Sequence, residues 1–411
     1  MPVDGSPGRA LVASGGDVAQ VPEHRHPVIV GVGTSDIPRA PHLDAVGHHV
    51  LAMQRALADA GIGKADVDGY CCAGGSKEES APDDMTVMME YLGLAPRFFD
   101  GTMTGGSSFE VHVAHATAAI ECGLCDTVLI TYGSDQLTRL GRLLGTKGQF
   151  GEHSHVAGPS QFEAPYGGTI VSSYAMAAAR HMHEFGTTSA QLAAVAVAAR
   201  GNAANNPEAM YRDPITLDDV LSSTMIADPL HKLDSCVISD GGGAVVMTTA
   251  ERARDLPQLP VAVLATACAQ THWNISTMVD FTTTAATVVG ETLFARSGLS
   301  PRDVDVLECY DSFTITVLLL LEDLGFCEKG EGGAFVESGA IGAGGELPVN
   351  TDGGGLSALH PGMRGIFLLI EAVRQLRGQG RNQVPDCEIA LACGVGAWLS
   401  CIGGVLLGRG R

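Results

Sequence analysis

"LADAGIGKADVDGYCC" (Leu57 to Cys72) and, much further along, "FARSGLSPRDVDVLEC" (Phe294 to Cys309) are one pattern written twice. Each reads as a helix end, a glycine stop, an Asp-Val-Asp step and a strand, the glycine marking where a helix turns off. A second echo pairs "CDTVLITYG" (Cys125 to Gly133) with "CEIALACGV" (Cys387 to Val395), each a buried strand after a helix. Two echoes in the same order, about half a chain apart, imply two related α/β halves. Their strands are continuous apolar runs, which suits a sheet covered on both faces.

Working outward, the first half starts at "PVIVGVG" (Pro27 to Gly33) and continues with a helix over Leu43 to Ala60. A helix over about Asp84 to Leu94, a strand at "RFFDGT" and a helix from about Ser107 to Glu121 follow. After Ser134 the repeat is interrupted by the Gly- and His-rich "GRLLGTKGQFGEHSHVAGPSQFEAPYGG" and by two helices, about Ser172 to Glu184 and Ala190 to Ala204. This insertion is expected to cap a site. "CVISDGGGAVVMTT" (Cys236 to Thr249) closes the half, and the second half carries helices near Thr283 to Ser297, Phe313 to Leu324 and Met363 to Gln375. The expected division is a flexible arm at 1–26, a first half at 27–258 with its insertion at 135–235, and a second half at 259–411.

Composition narrows the function. Of 411 residues, 45% are hydrophobic and 17% charged, so a large core can form. The net charge of −21 argues against sequence-independent binding to nucleic acid. Eleven scattered cysteines fit a reduced, cytoplasmic protein better than a disulfide framework. The longest apolar run, "ITVLLLL" (Ile315 to Leu321), is too short to span a bilayer. His112 with His115, and His181 with His183, lack the carboxylate or cysteine set a zinc site needs, so no metal is expected.

Four further stretches carry a resemblance. "ISDGGGAVV" resembles the "SDGAAAV" hairpin of thiolases, and "LHPGMRGIFLLIEAVRQLRG" resembles their "GHPxGxTG…QLRG" loop and helix. "CYDSF" stands where thiolases carry "NEAF" and sterol-carrier types "HDCF", and "LACGVGA" stands where classical thiolases have the "CIGGG" loop. The chain from Pro27 onward therefore resembles the thiolase superfamily, in particular its sterol-carrier and lipid-transfer types. The resemblance implies two pseudo-symmetric halves in a five-layered αβαβα fold, an acyl-CoA ligand with no other cofactor, and a homodimer.

Thiolases attack their substrate with a cysteine at the start of the central helix of the first half, where the helix end favours a thiolate. The matching segment, "GTMTGGSSFEVHVAHATAAIE", has none, and no cysteine lies between Cys72 and Cys122. The nucleophile position falls on Gly106, followed by Ser107 and Ser108. A serine would need a neighbouring base, and thioester exchange favours sulfur. The preferred reading is that acyl-enzyme formation has been abandoned.

The other half of thiolase machinery remains. By resemblance, His360 of the His-Pro loop is one wall of an oxyanion hole, and Tyr310 takes the place of the Asn or His that holds a catalytic water. A phenol, with its ordinary pKa of ~10, needs activation to act as a base. Activated, it could take the proton of a β-hydroxyl; breaking Cα–Cβ then leaves a carbonyl product and the enolate of a shortened acyl-CoA. That retro-aldol cleavage resembles the chemistry of steroid side-chain aldolases, which lack the cysteine and use tyrosine. Such aldolases commonly work with a small OB-fold and zinc-ribbon subunit, implying a heterotetramer and a steroid or bile-acid side chain as substrate. They carry a second tyrosine near the His-Pro loop, where this chain has histidine.

Cys393 falls where classical thiolases place a proton-shuttling cysteine. Gly106, Ser107, Ser312, Gly354, Gly355 and Gly394 are the expected substrate-binding positions, and Arg364 is a candidate for the CoA phosphates. Plainer readings stand beside these. Tyr310 can be a core tyrosine, Cys393 can simply pack, Ser107 can cap its helix, and Gly353 to Gly355 can be a bare turn. The rival functions are a thiolase-type acetyl-CoA acyltransferase using Ser107 or a mobile cysteine, and a non-catalytic acyl-CoA or lipid carrier or scaffold subunit.

Overall fold

In the computed structural model, residues 21–73, 85–141, 160–166 and 168–410 are described. The strands are β1 (Pro27–Thr34), β2 (Gly69–Cys72), β3 (Phe98–Asp100), β4 (Thr127–Ser134), β5 (Met225–Ala227), β6 (Leu230–His231), β7 (Gly241–Thr249), β8 (Val261–Gln270), β9 (Val306–Cys309), β10 (Ile389–Gly396) and β11 (Cys401–Arg409). The first-half helices are α1 (Ala45–Ala60), α2 (Met85–Leu92), α3 (Ser108–Glu121), α4 (Gln136–Leu140), α5 (Ser160–Glu163), α6 (Ile170–Phe185), α7 (Ser189–Ala204), α8 (Leu217–Leu221) and α9 (Ala250–Ala253). The second half adds α10 (Ala286–Ser297), α11 (Thr314–Asp323), α12 (Gly332–Glu337) and α13 (Gly365–Leu376).

The two echoes fold alike. α1 and α10 each stop at a left-handed glycine, Gly61 (φ 71°) and Gly298 (φ 72°), a conformation that disfavours a side chain. One 3-10 turn follows in each, closed by the first aspartate of the Asp-Val-Asp step: Asp66 accepts from the Gly63 N–H (2.9 Å) and Asp303 from the Ser300 N–H (2.7 Å). The second aspartate fastens the next parallel strand. Asp68 accepts from the N–H groups of Asp126 (2.9 Å) and Thr127 (2.8 Å) ahead of β4. Asp305 accepts from those of Glu388 (2.8 Å) and Ile389 (2.9 Å) ahead of β10. The repeat thus encodes a strand clamp.

The main sheet runs β3-β2-β4-β7-β1-β8-β11-β10-β9. β2 pairs parallel with β4, as β9 does with β10, and the remaining neighbours from β4 to β10 are antiparallel. Within the main sheet the halves meet at β1 and β8, through Val28↔Ala262 and Ile29↔Val261. α3 and α13 pack between the two half-sheets, touching each other and strands of both, while α1 covers one outer face and α10 the other. This is the five-layered arrangement of the thiolase fold, with the central strands β1, β4, β7, β10 and β11 buried on both faces.

Two helices start later than their patterns suggest. The Thr284 N–H and hydroxyl both bind Asp323 (2.7 Å each), which delays α10. Ahead of α13 the N–H groups of Met363 and Arg364 are taken by tyrosine hydroxyls. The expected arm is also shorter at its inner end. Glu23–Arg25 forms a 3-10 turn, and Arg25 binds the Ile120 carbonyl (2.8 Å) and Asp126 (3.1 Å). The rest of that arm, and most of the Gly- and His-rich stretch after Gly141, lie outside the described residues. No helix among the described residues is long and apolar enough to cross a membrane.

Candidate functional site

β9 delivers Tyr310. Its N–H donates to the Cys393 carbonyl (2.9 Å), extending the β9–β10 pairing by one step to the junction with α11. The ring lies against Gly106. A β-carbon at residue 106 would stand 2.2 Å from Tyr310 Cε2, 2.5 Å from Cζ and 2.5 Å from the Val395 carbonyl. The tyrosine therefore occupies the volume into which a nucleophilic cysteine would project. Its hydroxyl lies 3.0 Å from His360 Nε2, with the rings perpendicular and their centroids 5.5 Å apart. The Arg364 backbone N–H donates to the same oxygen (3.3 Å). Burial holds the phenol well above its ordinary pKa, and the Arg364 N–H and guanidinium oppose that shift.

The His-Pro loop is fixed from both halves. Ser239 Oγ accepts from the His360 N–H (3.0 Å), and Tyr132 Oη accepts from the Met363 N–H (3.1 Å). From the second half, Asn350 Oδ1 accepts from the Cys309 N–H (2.9 Å). Asp311 accepts from the N–H groups of Gly355 (2.7 Å) and Leu356 (3.1 Å). Arg364 pairs with Asp352 (2.6 Å) and, more distantly, Asp311 (3.5 Å), and donates to the Leu359 carbonyl (2.9 Å). Burial, with the Arg364 charge as a second cause, pushes the pKa of His360 down to about 4. The imidazole is neutral at physiological pH.

Several expected site residues have other surroundings. Arg364 is 0% exposed and committed to buried carboxylates, which removes it as a phosphate contact. Gly354 and Gly355 turn toward Asp311, whose carboxylate oxygens would lie 2.1 Å and 2.9 Å from β-carbons placed there. Gly394 faces Glu110 and the Ser107 backbone. Ser107 does not cap α3 with its side chain; its hydroxyl turns back to Thr104, at 3.2 Å from the carbonyl and 3.1 Å from Oγ1. The Cys393 thiol is fully buried and pushed up by burial, and its link to Tyr310 runs through its backbone carbonyl. Ser312 lies beside the site, its carbonyl accepting from the Cys236 N–H (2.9 Å) and its hydroxyl 3.2 Å from Thr316.

Other residues join the site without a signal in their own segments. Tyr174, from α6 of the insertion, donates to the Ala397 carbonyl (3.0 Å) and stacks on Phe313 at 4.5 Å. Cys236 is the partly exposed thiol near Tyr310, its pKa pushed up to about 12 by burial. Tyr132, Ser239, Asp311 and Asp352 act by holding the loop. The one usable signal was the Asp of "CYDSF", an acid beside a motif tyrosine. His181, read from the sequence as packing, is buried and hydrogen-bonded to Glu322 (3.0 Å) and Thr187 (2.7 Å).

Comparison with known proteins agrees with this geometry. The family described as "Thiolase C-terminal domain-like" matches residues 267–409. The "17-hydroxy-3-oxo-4-pregnene-20-carboxyl-CoA lyase" of Mycobacterium tuberculosis is 38% identical over 92% of this chain and 98% of its own length. The "Steroid side-chain-cleaving aldolase" of Thermomonospora curvata is 34% identical over 93% and 98%. The solved "Ltp2-ChsH2(DUF35) aldolase" superposes with a TM-score of 0.82 at 31% identity, covering 95% of this chain and 99% of that one. Human mitochondrial 3-ketoacyl-CoA thiolase, at 13% identity and a TM-score of 0.69, shares the fold alone. Full-length likeness to lyases, together with a tyrosine ring in the nucleophile's place, makes this chain a carbon–carbon lyase of the thiolase superfamily, related to its steroid side-chain-cleaving aldolases.

Proposed function

We propose that the lyase cleaves the Cα–Cβ bond of a β-hydroxy acyl-CoA whose acyl part is a steroid or bile-acid side chain, with Tyr310 as base and His360 as its proton partner. Tyr310 Oη takes the proton of the β-hydroxyl as it passes its own to His360 Nε2, 3.0 Å away. The bond pair released from Cα–Cβ moves onto the thioester as an enolate, and the β-carbon becomes a carbonyl. His360, neutral at rest, gains a positive charge as the enolate gains a negative one, which favours the enolate in a buried site. The Arg364 N–H steadies the phenol oxygen throughout. Tyr310 then gives a proton to the α-carbon and takes one back from His360, which returns both residues to their neutral state and releases the shortened acyl-CoA.

The observation that carries this reading is the overlap of the Tyr310 ring with a β-carbon at residue 106. Cysteine there and tyrosine at 310 are mutually exclusive, and Ser107 is turned to Thr104 and to the Cys401 thiol, whose pKa burial raises, so no base is among its partners. An acyltransferase is correspondingly disfavoured. The relative solved as an "Ltp2-ChsH2(DUF35) aldolase" supports a small DUF35 partner, expected to bear the OB fold and zinc ribbon of a heterotetramer. A homodimer is supported by β3, an edge strand whose Phe99 is 53% exposed. The test is to incubate the chain, alone and with a DUF35 subunit, with a steroid β-hydroxy acyl-CoA. Ketone or aldehyde with shortened acyl-CoA is expected, and acyl-CoA binding without turnover in either mixture would favour a carrier.

A further inference from the structure

Glu110 is the third residue of α3, 0% exposed, and among the described residues neither carboxyl oxygen has a hydrogen-bond partner beyond its own backbone N–H. An unpaired buried carboxyl is costly, and native structures rarely keep one without a use. Here three separate elements make room for it. A β-carbon at Gly365, the first residue of α13, would lie 2.6 Å from Glu110 Oε2, and one at Gly394 of β10 would lie 2.2 Å from it. One at Gly403 of β11 would lie 2.8 Å from Glu110 Cβ. The Gly365 position would also meet the Gly106 carbonyl, at 2.3 Å. The carboxyl therefore lies close to the Gly106 carbonyl, and the Tyr310 ring packs against Gly106 itself.

We propose that Glu110 is a positioning acid of this site: its carboxyl must keep its proton for the enolate to form at the Gly106 turn, and its ionisation switches the lyase off. The inference rests on the retro-aldol reading above. A neutral carboxyl adds no negative charge beside the amino ends of α3 and α13, whose positive ends favour developing negative charge. A carboxylate in the same place sets a second negative charge beside the enolate, where little water screens it. Burial pushes the Glu110 pKa up to about 8, so the acid is neutral at pH 7 and ionises just above. The titratable groups facing it are the thiols of Cys393 on β10 and Cys401 on β11, both also pushed up by burial; α13 presents glycine.

The test pairs kinetics with spectroscopy on the full chain and its subunit. Wild-type kcat should fall above about pH 8 by about tenfold per pH unit, as for loss of one required proton. In Glu110→Gln that limb should vanish, so that kcat at pH 9.5 exceeds wild type by more than about tenfold while KM is little changed. Glu110→Met replaces it if the amide fails to fold. Infrared difference spectra of the wild type should show a protonated-carboxyl band at pH 7, lost in one step near pH 8 and absent from the variant. An alkaline limb retained in both variants, or a carboxylate at pH 7, sinks the role of Glu110 while leaving the lyase standing. Wild type that turns over no β-hydroxy acyl-CoA at any pH sinks both.

Discussion

The amino ends of α3 and α13 lie side by side in the central layer, one from each half, and they have been put to opposite uses. At α3 the turn Gly105–Ser107 is stripped of side-chain chemistry: Gly106 is space for a ring, and Ser107 and Ser108 bond back to Thr104 and Gly105. At α13 the N–H groups of Met363 and Arg364 are bound by the hydroxyls of Tyr132 and Tyr310. The first half has become a mould, and the second half fills it. A helix end that would activate a thiolate serves here as the wall against which a base is held.

The difference breaks most severely at the residue that fills the mould. Tyr310→Phe keeps the ring that packs on Gly106 and removes only the hydroxyl. Turnover should fall on the order of 10²–10⁴-fold, the usual worth of a positioned base, with the fold retained by circular dichroism. A variant with wild-type kcat would place the chemistry elsewhere.

Next comes the frame behind the second half. Arg364→Met strands Asp311 and Asp352 as buried carboxylates without their cation. Breaking such a pair from one side costs about 3–5 kcal/mol, read as a lowered denaturation midpoint. Because Asp311 also holds the N–H groups of Gly355 and Leu356, the loop carrying His360 should loosen and kcat should fall as well.

The mould itself is tested by Gly106→Ala. The added methyl meets Tyr310 or the Val395 carbonyl, and overpacking of this kind costs about 1–3 kcal/mol. Activity should drop because the ring must shift away from His360. Gly106→Cys should fare no better, and intact-mass measurement after exposure to acyl-CoA should find no acyl-enzyme. A stable, acylated Gly106→Cys protein would show that the two halves are not exclusive.

How much of this was legible follows the range of each contact. The strand clamp was readable because Asp66 and Asp68 act within a few residues or on a strand that the second echo also marks. Tyr310 and His360 stood out by position, each at a strand or loop junction ahead of a helix. What could not be read is what those motifs lean on. Arg364 looks like a cation free for phosphate until Asp311 and Asp352 close over it. The glycines at 354 and 355 suggest approach to a ligand, yet the approaching group is Asp311. Glu110 reads as an ordinary acid in a first helical turn, and only the glycines of three distant elements reveal that it is buried. Tyr174 sits on an alanine-rich helix whose partner, the Ala397 carbonyl, belongs to the other half.

The smallest effect should come from Ser107→Ala, and it bears directly on the abandoned side of the comparison. The hydroxyl is fully buried, yet its bonds go to Thr104, at 3.2 Å and 3.1 Å, both longer than the best hydroxyl geometry. Stability should change by about 1 kcal/mol or less, and kcat by less than about threefold, since a neutral hydrogen bond contributes only about that much. A serine nucleophile would behave otherwise, its loss abolishing turnover outright. Near-indifference at Ser107 set against collapse at Tyr310 is the pattern expected if the first half supplies shape and the second supplies the base.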